Sequence, residues 1–269
     1  MRGALTIARF ALRESVRRRV FVVVAVLTVV FLALYALGVW QAYDSVDVNE
    51  LDNGVELKIV AGAILAVFLT LGAVRGDAER GLLQPLLVRP LTRATFLAGR
   101  FVAAAVVCVM YVIAVFLAAV VITHAFGGWW PDRVVLPALE LGAGVAVLVA
   151  LSLAGSIVLS STANGIAVFM LFGAGLTAGL LGEIGEALDS HTLSTVARAA
   201  SWALPFEALY QQALAAITQD TVGFTRLAID LGPFGGARSF GSLLGPFTLA
   251  YLAAVAALAL WRFRRRDLS

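Results

Sequence analysis

FVAAAVVCVMYVIAVFLAAVVIT, residues 101–123, runs for 23 residues without one charged side chain. About 20 helical residues, at 1.5 Å rise each, cross the ~30 Å hydrocarbon core of a bilayer. A strand of a membrane barrel would alternate apolar and polar positions, and this run does not. It reads as a transmembrane helix and sets the class of the chain. Comparable runs are Val20–Trp40, Leu57–Val74, Val134–Ser160, Ile166–Leu181 and Leu243–Trp261, giving six expected spans. Composition agrees. The 269 residues are 61% hydrophobic and only 14% charged, where a soluble domain carries about a quarter charged residues. The first run is too long for a signal peptide and lacks a small-residue cleavage site, so it is expected to be retained. The expected fold is all-α and polytopic, one membrane domain over residues 1–269.

Arginine placement orients the spans. Arg2, Arg9, Arg13, Arg17, Arg18 and Arg19 precede the first. Arg75, Arg80, Arg89, Arg93 and Arg100 lie between the second and third. Arg262, Arg264, Arg265 and Arg266 follow the last. These are fifteen of the 20 basic residues, all on one side of a six-span chain. Cytoplasmic loops carry the excess of Lys and Arg, so both termini and the 75–100 loop are expected in the cytoplasm. The net charge of +3 is a topology signal, and no nucleic-acid partner is expected. The Ala/Val/Arg-rich, Lys-poor composition suggests a bacterial plasma membrane.

The connecting segments have their own patterns. In ALTIARFALRESVRRR (residues 4–19), Leu5, Ala8, Ala11, Leu12 and Val16 share one helical face. This fits a helix lying on the inner leaflet among anionic lipid headgroups, or a plain positive-inside anchor. STANG, Ser161–Gly165, reads as a tight turn between the fourth and fifth spans. Gly182–Ser242 is too apolar for a free outer loop. Within it Ser201–Ile217 is helical in period and broken by Pro205, as a re-entrant or surface-lying helix would be.

No residue set points to catalysis. His124 and His191 fall in expected outer segments and Cys108 sits alone in the third span. The motifs G-x-S-x-G, H-E-x-x-H and G-x-x-x-x-G-K-[ST] are absent, so neither hydrolase chemistry nor a P-loop for ATP is expected in this chain. Glu140 is the one clear acid inside a span. Intramembrane acids default to functional hypotheses, here a substrate path or helix pairing. Glu140 also lies near the outer end, where a carboxylate can snorkel or find a local partner. Gly175 and Gly179 have the G-x-x-x-G spacing that lets helices approach closely in lipid, within one subunit or between two.

RGDAERGLLQPLLVRPLTRATFLAGRF, residues 75–101, interrupts the apolar chain. Leu82, Leu83, Leu86 and Leu87 make an apolar stripe at helical spacing, bounded by Pro85 and Pro90 and surrounded by Arg80, Arg89 and Arg93. Such a short amphipathic helix suits docking into a groove on a soluble partner, or lying on lipid. The stretch resembles the cytoplasmic loop of the ABC-2 transporter permease family, roughly E-x-G-T-L-x-x-L-L-x-x-P-x-x-R. Glu79, Gly81, Leu83, Leu86, Leu87, Pro90 and Arg93 match it. Leu82 stands where Thr is usual, and Pro85 falls inside the expected helix. LPFEALYQQAL, residues 204–214, resembles a segment of members near the copper-maturation permease of nitrous oxide reductase.

The resemblance implies six spans with an N-terminal elbow helix, residues 4–19, and a cytoplasmic coupling helix. It implies pairing of two permease subunits, as homodimer or heterodimer. Each would contact a separate cytoplasmic ATPase that binds ATP and Mg. Glu79, Arg80, Gly81, Leu82, Leu83, Leu86, Leu87, Pro90 and Arg93 would form the contact with that ATPase. An apolar interior suits a hydrophobic or amphipathic cargo. A role in copper-enzyme maturation, or as an assembly scaffold without a transport cycle, is the alternative expectation.

Overall fold

A computed structural model of the chain describes residues 19–44, 93–127, 130–217 and 237–265. Every regular element among them is a helix. In chain order they are α1 (Arg19–Asp44), α2 (Arg93–Gly127), α3 (Val135–Ser156), α4 (Ser161–Ala187), α5 (His191–Ala203), α6 (Pro205–Ile217) and α7 (Leu244–Arg265). Four contain stretches long and apolar enough to cross a membrane: Leu97–Phe126, Val135–Ser156, Ser161–Ala187 and Leu244–Phe263. In α1 the apolar stretch is Val24–Trp40. The expected second span, the coupling segment at residues 79–90 and residues 4–18 of the expected elbow lie outside the described residues.

The bundle is built around α3, which packs against α2, α4, α6 and α7. Its sequence contains a single charged residue, Glu140, and it buries residues on every side, as a helix apolar all round must. Glycines set how closely neighbours approach. A Cβ at Gly142 would stand 3.0 Å from Val109 Cγ1 of α2, and one at Gly144 would stand 3.4 Å from the Phe206 carbonyl of α6. Two residues apart on a helix, these glycines admit different partners to nearly opposite faces.

Helix α1 is peripheral and packs on α2. Phe31, Leu32, Tyr35 and Val39 turn inward, while Val26, Leu27, Val30, Leu34 and Leu37 stay open. Polar pairs lie within this apolar seam. Thr28 and Tyr111 hydroxyls are 2.5 Å apart, and those of Tyr35 and Thr123 are 2.6 Å apart. Each threonine gives its own hydrogen to the carbonyl four residues back, Val24 or Ala119. A hydroxyl has one hydrogen to give, so the tyrosines donate to the threonines.

The turn between α3 and α4 differs from expectation. STANG does not form it, and the fourth expected span does not continue to Ser160. Helix α3 ends at Ser156, residues 157–160 turn the chain, and Ser161–Gly165 opens α4. The reason is capping. Ser160 has an extended backbone and its hydroxyl accepts from Ala163 N at 3.4 Å, so the serine begins the helix. Asn164 then reaches back, its Nδ2 donating to the Ser152 carbonyl at 3.0 Å. Its Oδ1 lies directly over Gly155, where a Cβ would collide with it.

Helix α4 also runs further than the expected Ile166–Leu181, to Ala187. Acidic Glu183 and Glu186 lie in this added stretch, and both face a cation, as described below. The helix closes on Asp189, whose φ of 51° is left-handed, and the Ser190 N–H returns to the Gly185 carbonyl at 2.7 Å. The chain then folds back as α5 along α4, with Leu193 and Ser194 against Gly185.

If the Tyr–Thr pairs fix α1 on α2, Tyr35→Phe and Thr123→Val should each lower stability by ~0.5–1 kcal/mol, the usual range for interhelical hydrogen bonds in membranes. The double variant should lose no more than the larger single. Additive losses in detergent unfolding would contradict the pairing.

Candidate functional site

Among the described residues the buried acidic side chains, Glu140, Glu183 and Glu207, gather where α3 begins, α4 ends and α7 begins. Helix α6 brings them there. Pro205 has no N–H to leave unpaired, which suits it to the first position of a helix, and it separates α6 from α5 at Leu204. The sequence pattern anticipates a helix broken at this proline. The structure resolves it into two helices and starts the first at His191, ten residues before the expected Ser201. At 13 residues α6 is too short to cross a bilayer. It instead packs on α3, α4, α5 and α7, and Pro205–Gln211, Ala213 and Leu214 are all buried.

Its seat is made by two glycines. Gly144 of α3 lies under the Phe206 backbone, and Gly175 of α4 lies under its ring. A Cβ at Gly175 would stand 2.6 Å from Phe206 Cζ, closer than carbon atoms pack. Phe206 stacks on Phe172, with ring centroids 6.0 Å apart. Gly175 therefore makes a contact within one subunit. Gly179 is buried on the same helix.

Three polar arrangements lie around this seat. In the first, Gln212 Nε2 donates to Glu140 Oε1 at 2.6 Å, and Gln212 Oε1 accepts from the Phe240 N–H at 3.1 Å. One amide thereby ties α3 to α6 and to the strand of chain leading into α7. Glu140 is buried and bonded to a neighbouring helix in this arrangement. In the second, Arg238 Nε lies 3.0 Å from Glu183 Oε1, and its Nη2 lies 2.9 Å from Glu186 Oε1. Gly182 provides the room, since a Cβ there would collide with the guanidinium. Glu186 is largely exposed, so most of the electrostatic attraction resides with Glu183.

The third is enclosed within the protein. Glu207 is 1% exposed and Gln211, one turn on, is 0% exposed. Gln211 Nε2 donates to Glu207 Oε1 at 3.2 Å. Among the described residues Gln211 Oε1 and the Tyr210 hydroxyl have no hydrogen-bond partner. Burial pushes the Glu207 carboxyl up to about 8, outweighing the opposite effect of the Gln211 hydrogen bond. Burial, and then the neighbouring Glu207, push the Tyr210 phenol above its usual value. Among the described residues, no three His, Cys, Asp or Glu side chains gather as a metal-holding group.

Of the residues singled out in the sequence, the structure brings Glu140 and Gly175 to this region. Glu79, Arg80, Gly81, Leu82, Leu83, Leu86, Leu87 and Pro90 lie outside the described residues. Arg93 opens α2. Glu207, Gln211, Gln212, Glu183 and Arg238 were not singled out as site residues. The available signal was the spacing of Glu207 and Gln211, two polar residues four apart on an otherwise apolar helix.

A chain whose described elements are all helices, several of membrane length and one short and buried, is a polytopic membrane protein. The family model for the ABC-2 family transporter protein matches residues 5–268. The chain belongs to that family of ABC-transporter membrane permeases. No curated protein matches the sequence.

Two substitutions test the seat. Gly175→Val should destabilise the protein by ~1–3 kcal/mol, as overpacking does. Gln212→Leu should cost a similar ~1–3 kcal/mol by leaving the Glu140 carboxylate and the Phe240 N–H without a partner. Unchanged thermal unfolding of either variant in detergent would show that α6 is not held this way.

Proposed function

We propose that this chain is the permease subunit of an ABC exporter, working with a separate cytoplasmic ATPase and a second permease subunit. The observation that carries the reading is the family match across residues 5–268, nearly the whole of a chain whose sequence has no P-loop. Membership of that family supports a separate ATPase subunit as the source of the driving energy. The ATPase partner would bind ATP and Mg, and its two states would bias the spans between two arrangements.

Glu79, Arg80, Gly81, Leu82, Leu83, Leu86, Leu87, Pro90 and Arg93 are the proposed contact with that ATPase. The support is the match to the family's loop, and an apolar stripe that a soluble groove can bury. Arginine placement supports cytoplasmic termini in a bacterial plasma membrane. The α5–α6 end, with Arg238 and Glu183, then faces outward. The cargo proposed is hydrophobic or amphipathic. Among the described residues the buried charged side chains, Glu140, Glu183 and Glu207, all lie near the α6 seat, so a strongly charged solute would find few compensating groups elsewhere in the interior.

Leu86→Glu places a charge on the docking stripe, and Glu79→Ala removes the loop's first motif residue. In vesicles containing the complete complex, either variant should insert normally. Transport and transport-linked hydrolysis should fall at least tenfold. Full activity in both would overturn the docking assignment.

A further inference from the structure

The Glu207–Gln211 pair lacks one hydrogen, and its geometry shows where that hydrogen belongs. Gln211 Nε2 already donates to Glu207 Oε1 at 3.2 Å, while Gln211 Oε1 is fully buried without a donor. A carboxylate can only accept. A carboxylic acid can do both. With a proton on Oε2, Glu207 would accept from the amide N–H and donate to the amide oxygen at once. Acid and amide would then close a ring of two hydrogen bonds. The pair already lies one helical turn apart on α6, so the second bond needs only rotation of the two end groups. An ionised Glu207 would leave a charge buried at 1% exposure, facing one neutral amide, which is costly in an apolar interior.

No cation compensates it among the described residues. On α3 the charged group is Glu140, bonded to Gln212. On α4, Glu183 and Glu186 face Arg238. On α5, His191 and Arg198 are exposed, and on α7 Arg262 lies at the end of the helix remote from Leu244. Tyr210, on α6 itself, is neutral and is a further buried hydroxyl without a partner.

We propose that Glu207 is a proton-binding site of this transporter, held as the neutral acid paired with Gln211 while α6 is seated on Gly144 and Gly175. The proton enters and leaves as a proton, with no other reactant. An ionised Glu207 needs water or a cation, so losing the proton favours any arrangement in which α6 lifts from its seat. This inference rests on the packing of α6 and is independent of the cargo and of the ATPase contact.

The sign follows from linkage. A carboxyl held protonated in the folded state contributes stability that is complete below the ordinary Glu range, near pH 4.5. That stability is lost as pH rises through the folded-state value, about 8. The test uses the purified full chain in lipid nanodiscs. Infrared difference spectra between wild type and Glu207→Gln should show a protonated-carboxyl band at pH 6, lost at pH 10. The thermal midpoint of wild type should fall between those pH values more than that of Glu207→Gln, which carries a permanent neutral amide.

If Glu207→Gln does not accumulate, Gln211→Leu serves. It should move the wild-type band to higher frequency by freeing the carboxyl from its partner. The measurements are repeated with sodium and with choline as the only cation. A Glu207-dependent transition that follows sodium at constant pH would overturn the proton assignment. So would a carboxylate band at pH 6, or matching pH profiles for wild type and Glu207→Gln.

Discussion

How closely α6 approaches α3 and α4 decides the arrangement of the whole polar end of the bundle. In lipid there is no hydrophobic gain from bringing helices together, so contact depends on close packing and on polar pairs. Gly144 and Gly175 supply the packing. With both lacking a side chain, Phe206 can rest on two helices at once and stack on Phe172. That depth carries Gln212 to within reach of Glu140 and the Phe240 N–H, and it encloses Glu207 and Gln211 completely. Moving α6 outward would lose these contacts together, because one short helix presents them all.

The two regions of the bundle differ in the polar groups that accompany their apolar packing. Helices α1, α2 and α3 share an apolar cluster that includes Val112, Phe116, Ala119 and Leu141, strengthened by tyrosine–threonine pairs. The α6 end shares in this packing, with Tyr210, Ala213 and Leu214 in that cluster and Phe206 against Val147, Leu148 and Phe172, and adds a bridging amide, an arginine between two carboxylates and a buried carboxyl. Polar pairs exchange between discrete partners, and water can replace them. A seam with such pairs is suited to having two arrangements.

Much of this was legible in the sequence, for identifiable reasons. Uninterrupted apolar runs give away membrane helices, and Phe101–Thr123, Val134–Ser160 and Leu243–Trp261 found theirs to within a few residues. The ends were harder to read. Ser160 caps α4, but at the end of a hydrophobic run it resembled the last residue of a span. Helix α4 runs past the expected Leu181 through Glu183 and Glu186, whose compensating partner, Arg238, is more than fifty residues away in sequence. Long-range pairing leaves no local pattern, which is also why Gln212 passed unnoticed beside Glu140. Pro205 did mark the break between α5 and α6, since a proline constrains its own backbone whatever surrounds it.

The transport role proposed for this chain depends on its being one part of an ATP-driven complex. The most direct measurement is purification of the tagged full chain in a mild detergent, with its companions identified by mass and assayed for ATP hydrolysis. The account predicts a companion of separate sequence bearing a P-loop, with hydrolysis present in the complex and absent from the chain alone. A chain that purifies with no nucleotide-hydrolysing companion, from cells in which it is active, would contradict it.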